Sequence, residues 1–235
     1  MPGTIIDMHM HTLLGAYDSS LKPEELAQEA KKVGLTGVNI TEHDRLWDQR
    51  TLESFRQEHA PLFINNGMEV STDMGHMLAI GLPGYVPGIR RVAELRKVLD
   101  DAGGFLIVAH PFRHWFDPVH FMRQGRKPIE MVAEELANLP VFEYVDAIEV
   151  LNGCNTVREN VIALKVANYL GKPGTGGSDC HSTQGIGYYC TVFEKVLESP
   201  KMMLQELHAG RFGAAHDLAK GNLTTFTETS LGQVA

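Results

Sequence analysis

Histidines and carboxylates in this chain cluster where short, β-branched runs end, and no other feature constrains the fold as strongly. The runs are 4–7, 37–41, 62–66, 76–82, 105–109, 146–151, 173–177 and 188–193. Between most of them lie stretches of helical period, at 23–33, about 47–58, 89–101, 128–138, 156–170 and 200–209. Strands alternating with helices predict β/α units around a mostly parallel sheet, and such folds bind ligands beyond the C-terminal strand ends. The polar residues sit there: Asp7, His9 and His11 at the first run, Glu42, His43 and Asp44 at the second, Glu69 at the third, His110 after the fifth, and Asp179 with His181 after the seventh. In an extended Asp7-Met8-His9-Met10-His11 the polar side chains share one face and the methionines the other. The same spacing joins Asp179 to His181, with Cys180 turned away.

A single strand-end histidine reads simply as a hydrogen-bonded residue at the edge of a core. Five such elements at one rim are different, because buried imidazoles and carboxylates are costly to hold together without cations to neutralise them. The donors are nitrogen and oxygen with little sulfur, which suits Zn²⁺, Mn²⁺ or Fe²⁺.

At 235 residues the chain fits one domain, 1–235, in which residues 220–235 form either a final strand or a loose tail. The formal net charge of -8 argues against long contact with nucleic acid, whose binding relies on clustered Lys and Arg. No run reaches the ~18 apolar residues of a membrane helix, and the N-terminus lacks a secretory pattern, so no membrane association and a cytoplasmic location are expected. Three cysteines, Cys154, Cys180 and Cys190, make no disulfide framework. His59, His208 and His216 read as solvent-facing, and His76 is ambiguous beside Glu69.

Four motifs in order, Asp7-x-His9-x-His11-Thr12, Thr41-Glu42-His43-Asp44, Glu69 with His110-Pro111, and Gly177-Ser178-Asp179-x-His181, resemble those of the PHP (polymerase and histidinol phosphatase) superfamily across most of the chain. The resemblance implies a single-domain, distorted (β/α)7 barrel and a site for two or three divalent ions, commonly manganese, iron or zinc. It implies metal ligation by His9, His11, His43, Glu69, His110, Asp179 and His181, with Glu69 as a bridge. Asp18 joins them as the Asp before the Pro23-Glu24-Glu25-Leu26 helix start, in a loop about two residues longer than usual. After the Ile148-Glu149-Val150 strand, where some relatives supply another ligand, this chain offers Asn152, Cys154 and Asn155.

The activity implied is phosphoester hydrolysis of a small phosphorylated metabolite, a nucleotide or a sugar or amino-alcohol phosphate, by a metal-bound hydroxide. Asp44 and His181 are the catalytic candidates, Asp44 by orienting a ligand or moving a proton. Arg113 and His114, followed by Arg45, are the cationic groups expected to hold the phosphate. Residues 112–127, rich in aromatic and basic side chains, read as a lid or equally as a packed loop or subunit contact. The competing functions are hydrolysis of a non-phosphate ester or amide, and a nuclease or proofreading-type module. Nucleotide-cofactor and serine-nucleophile motifs are absent from the sequence.

Overall fold

The computed structural model describes residues 3–117 and 132–233. Ten strands form one mixed sheet in the order β10-β9-β8-β1-β2-β3-β4-β5-β6-β7. They span Ile5–Met10 (β1), Gly37–His43 (β2), Phe63–Thr72 (β3), Gly75–Ile80 (β4), Phe105–Val108 (β5), Ala147–Asn152 (β6), Gly174–Gly177 (β7), Tyr189–Phe193 (β8), Phe212–His216 (β9) and Thr224–Thr225 (β10). Among the described residues six helices accompany them: Pro23–Val33 (α1), Gln49–His59 (α2), Val92–Ala102 (α3), Ala133–Leu136 (α4), Val157–Leu170 (α5) and Pro200–His208 (α6).

Strands β1, β2 and β3 run parallel, as do β5, β6 and β7. Antiparallel β4 joins the two sets, and β8 pairs antiparallel with β1. The sheet curls until its β7 end meets β1: Met10 bridges Cys180, and the Asp179 amide donates to the His9 carbonyl at 2.7 Å. The α/β class is therefore as expected, and where a distorted (β/α)7 barrel was expected the sheet is a curled half-barrel of ten strands. The difference arises because β4 returns directly from β3 as a hairpin, and because β9 and β10 follow β8 at the chain's end. Of residues 220–235, those up to 233 are described and hold the two-residue β10 and a 3-10 turn at Glu228–Gln233.

Local chemistry sets the helices as the sequence suggests. In α1 Pro23 opens the first turn with Glu24 and Glu25, Lys31 and Lys32 close the last, and Gly34 caps it at φ 91°. The α5 N-cap, Thr156, accepts from the Glu159 amide, and the Glu159 carboxylate accepts from the Thr156 amide at 2.8 Å. Where 128–138 was expected to be helical, only Ala133–Leu136 is α-helix, and 128–131 lie outside the described residues.

The core has three parts. On one outer region α1 and α2 set Leu26, Ala30, Leu52 and Phe55 against Val38, Ile40 and Ile64. On another, α3 and α5 set Leu95, Leu99, Ala163 and Val166 against Val70, Leu106 and Ile148. The third gathers Ile6, Met8, Leu78 and Ile107 with Met203 and Leu207 of α6, closing the end where β1 and β5 begin. Full burial of each such aliphatic side chain stabilises by roughly 1.5–3 kcal/mol. One end of the half-barrel is thus plugged with hydrocarbon, and polar groups collect at the other.

Strict alternation fails along β1. Its register with β2 shifts between Asp7 and Met10, so Met8 and Met10 pack into different parts of the core. His59 and His216 also depart from the sequence reading. His59 is buried edge-on against Phe55, and His216, on the unforeseen β9, is buried with Nδ1 2.9 Å from Asp217 Oδ2. His208 is exposed as expected.

Closure of the curl depends on Gly177, where a Cβ would lie 2.5 Å from His9 Cβ and 2.7 Å from His9 N. Gly177→Ala is expected to destabilise the protein by about 1–3 kcal/mol, because backbone and not a flexible side chain must yield. Chemical denaturation checks this against Gly84→Ala, where a Cβ meets nothing within 4 Å.

Candidate metal centre

Strand pairing assembles the site. His43 and Glu69 are register partners on β2 and β3, and His76 on β4 lies diagonally across the hairpin from Glu69. His9 and His11 arrive from β1, while His110, Asp179 and His181 follow the ends of β5 and β7. His110 and Asp179 adopt left-handed φ values of 28° and 54°, and Asp44 one of 52°. Such strain in non-glycine residues persists only where the surroundings enforce it, and it gathers at functional sites.

Glu69, 2% exposed, is the centre. Oε1 lies 2.9 Å from His76 Nδ1, 3.1 Å from His110 Nε2 and 3.4 Å from His9 Nε2. Oε2 lies 2.9 Å from His43 Nδ1 and 3.3 Å from His11 Nε2. Asp179 Oδ1 sits 3.5 Å from His9 Nε2 and 3.3 Å from His11 Nε2, and the two imidazole nitrogens are 3.1 Å apart. Asp18, at the exposed rim, is 3.4 Å from His43 Nε2 and 3.5 Å from His181 Nε2.

Charge in this cluster is settled by proximity. Burial works against a charged His9, but Asp179, Glu149 and Glu69 together raise its pKa well above the usual imidazole value. Burial pushes neighbouring His11 the other way, down to about 4. Glu69 and Asp179 both stay well below the ordinary carboxylate range despite burial, held there chiefly by His9.

The donors fit divalent cations. Among the described residues, four overlapping groups have ligand atoms within 4.8 Å of one another: His11, His43 and His181; His9, His110 and Asp179; His9, His11 and Glu69; and Glu69, His76 and His110. Five imidazoles crowd a carboxylate that has about four acceptor positions, and two of their nitrogens face each other. Nitrogen and carboxylate oxygen around a shared acidic residue suit Zn²⁺, Mn²⁺ or Fe²⁺.

The other expected residues divide. Arg113 reaches the cluster: Nη2 contacts Asp179 Oδ2 and lies 2.7 Å from Asn152 Oδ1, and Nε donates to Asn155 Oδ1 at 3.2 Å. Its loop is fixed by fully buried Phe112 and by the His114 amide, which donates to Glu159 of the α5 capping box at 2.6 Å. Exposed His114 lines the cavity next to Arg113. Arg45 is not brought in: it donates to the Leu14 carbonyl at 3.4 Å, because the chain turns outward after β2. Asp44 also turns away, accepting from the Ser71 amide at 3.0 Å and from Arg90 Nη2 at 2.6 Å. Its carboxylate therefore braces β3 and Arg90 and does not face the cluster. Cys154 is exposed, with its thiol 3.6 Å from the Asp179 carbonyl, and belongs to none of the four donor groups. Of the 112–127 segment, 118–127 lie outside the described residues.

Two layers escaped sequence reasoning. Glu149, fully buried on β6, takes His9 Nδ1 at 3.0 Å and the His110 amide at 2.8 Å. Glu42 accepts from Thr12 and, at 2.8 Å, from Trp47 Nε1, fixing the segment after His11 to β2. The available signal was a carboxylate inside an otherwise apolar strand, Ala147-Ile148-Glu149-Val150-Leu151.

Residues 157–212, from α5 through Asp179 and His181 to the start of β9, match a family model described as PHP-associated. No curated protein matches the sequence. Among solved structures the chain is similar to PsfC from Pseudomonas syringae, at 19% identity and TM-score 0.60, over 100% of this chain and 95% of that one. It is similar to a two-domain protein from Bacteroides vulgatus containing a predicted PHP-like metal-dependent phosphoesterase, at 20% and 0.57, over 90% and 64%. An amidohydrolase from Chromobacterium violaceum, with bound sulfate and no metal, is similar at 15% and 0.59, over 86% and 96%. These likenesses establish the fold, a half-barrel similar to those structures, and the donor cluster is a candidate metal centre at its polar end. The family-model match likens the segment 157–212 to PHP-associated sequences.

Glu149 gives a direct test of this centre. Glu149→Gln keeps the volume but removes the charge that orients His9, and is expected to weaken Mn²⁺ or Zn²⁺ binding about 10–100-fold without unfolding the chain. Titration calorimetry with each metal, alongside circular dichroism, checks it. Unaltered affinity in a folded variant would refute the arrangement.

Proposed function

We propose that this chain is a metal-dependent phosphoesterase that hydrolyses a small phosphorylated metabolite. Two or three divalent ions, Mn²⁺, Fe²⁺ or Zn²⁺, would be held by His9, His11, Asp18, His43, Glu69, His110, Asp179 and His181, with His76 as a further donor to the Glu69 side. When bound, such ions lower the pKa of a water ligand and offset phosphate charge. The observation that carries the reading is Arg113, a guanidinium positioned at the rim of the donor cluster. No bond to its Nη1 is present among the described residues, so that donor can take a phosphate oxygen while Nε and Nη2 keep the side chain in place.

The protein's own groups divide the work. Asn152 and Asn155 orient Arg113, and Asn152 also donates to Asp179 Oδ2 at 3.3 Å, so substrate cation and cluster share one support. Glu149 keeps His9 turned so that Nε2 faces the cluster. His181 has one ring nitrogen for both of its roles: Nδ1 donates to the Asp179 carbonyl at 3.0 Å, so Nε2, at the partly exposed edge beside Asp18, transfers a proton to a leaving oxygen only when it is not ligating a cation. Sulfate, a phosphate mimic, is bound in the similar amidohydrolase structure, which agrees with an oxyanion site in this fold.

Hydrolysis of an amide or non-phosphate ester is the second reading, favoured by Arg45 facing away, which leaves Arg113 and His114 as the substrate cations among the residues expected for that role. A panel of phosphorylated metabolites, esters and amides, each supplied with Mn²⁺, Fe²⁺ or Zn²⁺, separates the two. Phosphate release is expected, falling about 10²–10³-fold in Arg113→Met and little in Arg45→Ala. His9→Ala and Asp179→Ala are expected to abolish turnover and lower metal content in elemental analysis. Cleavage of amides alone, with Arg113→Met indifferent, would reverse the assignment.

A further inference from the structure

Beside the cluster opens a cavity of about 460 Å³ whose walls differ in kind from the site they adjoin. His76, His110 and Arg113 form its inner edge, and these residues touch Glu69 or Asp179. Beyond them stand His114 and an apolar stretch of wall formed by Met74, Val108, Trp115, Leu139 and Val141. Among the described residues, no carboxylate, carboxamide or hydroxyl side chain lines it. A larger cavity of about 690 Å³ near Arg45 and Arg56 shares no residue with the donor groups.

We propose that the alcohol half of the phosphoester is an uncharged apolar group, aromatic or branched aliphatic, seated in this cavity; the proposal rests on the phosphoesterase reading above. A phosphoryl group between the donor cluster and Arg113 points its ester oxygen toward either solvent or this wall. Against the apolar stretch, away from His114, a sugar or polyol would set its hydroxyls against hydrocarbon, and buried polar groups discriminate strongly when unpaired. An apolar group loses nothing there and gains the area of Trp115 and Val141. The wall is also built before substrate arrives. Trp115 stands edge-on to Phe112 at 5.7 Å and 89°, and fully buried Phe112 in turn packs 6.2 Å from Phe142. Val141 belongs to the 3-10 turn Pro140–Glu143, whose Phe142 is buried in the same core. A preformed apolar seat favours rigid, ring-like groups, because little side-chain freedom is left to lose on binding.

The experiment uses the full chain loaded with Mn²⁺ and three phosphonates that cannot be hydrolysed: benzyl-, methyl- and 2-hydroxyethylphosphonate. Calorimetry is expected to show benzylphosphonate binding at least about tenfold tighter than the other two. The ratio of benzyl to methyl affinity should fall toward one in Trp115→Ala and in Leu139→Ser, the second altering a partly exposed wall residue in case the first fails to fold. Equal affinities, no binding of any phosphonate, or a preference that survives the variants would overturn the proposal. Phosphate release from benzyl phosphate and glycerol phosphate, alcohols of comparable leaving ability, separates the two readings. A benzyl preference in binding with neither ester cleaved leaves the cavity assignment standing and removes the phosphoesterase. Both esters cleaved equally, with no binding preference, does the reverse.

Discussion

The arrangement of this protein turns on one buried carboxylate. Glu69 is within 3.4 Å of nitrogens from His9, His11, His43, His76 and His110, which come from four different strands or strand ends. Burying a carboxylate costs several kcal/mol unless charge and hydrogen bonds return it. Here the return comes from the curl of the whole sheet: β2 brings His43 by register, β4 brings His76 by folding back, and β7 must close on β1 before Asp179 can share His9 with Glu69. Stability of the half-barrel and assembly of the site are therefore one problem. The hydrocarbon plug under α6 holds the strands at one end so that the polar groups can be forced together at the other.

Much of this was legible in the sequence, and the reason is periodic chemistry. Strand-end placement exposed the donors His9, His11, His43, Glu69, His110, Asp179 and His181, all of which the structure brings to one rim. What one strand's pattern cannot show is which neighbour it meets. Glu149 and Glu42 act across strands distant in sequence, and a lone carboxylate in an apolar run looks the same whether it braces a histidine or faces solvent. His76 was ambiguous for the same reason, since its role appears only once the β3–β4 register is known.

The misreadings have physical causes as well. Asp44 and Arg45 directly follow a donor strand, and proximity in sequence suggested proximity in space. The positive φ of Asp44 redirects the chain, so one side chain turns to Ser71 and Arg90 and the next to Leu14. His216 appeared to lie on a surface tail because Phe212–His216 is a short run with glycine and two alanines, Phe-Gly-Ala-Ala-His. Pairing with β8 along its whole length makes it a strand, a tertiary effect that outweighs weak intrinsic preference.

Arg113 shows how the two kinds of information combine. Its guanidinium is a poor neighbour for a cation cluster unless something fixes the distance, and the structure fixes it from three sides. Asn152 and Asn155, after β6, hold the head group; Phe112 anchors the loop in the core; and the α5 capping box lends Glu159 to the His114 amide. The same carboxylate thus starts a helix and sets a binding loop, so a change to Glu159 would reach Arg113 through the backbone without touching any cluster donor. Asn152, one of these supports, also donates to Asp179 Oδ2 and Glu149 Oε2, and Arg113 itself contacts Asp179, so the guanidinium and the donor cluster are coupled through shared partners.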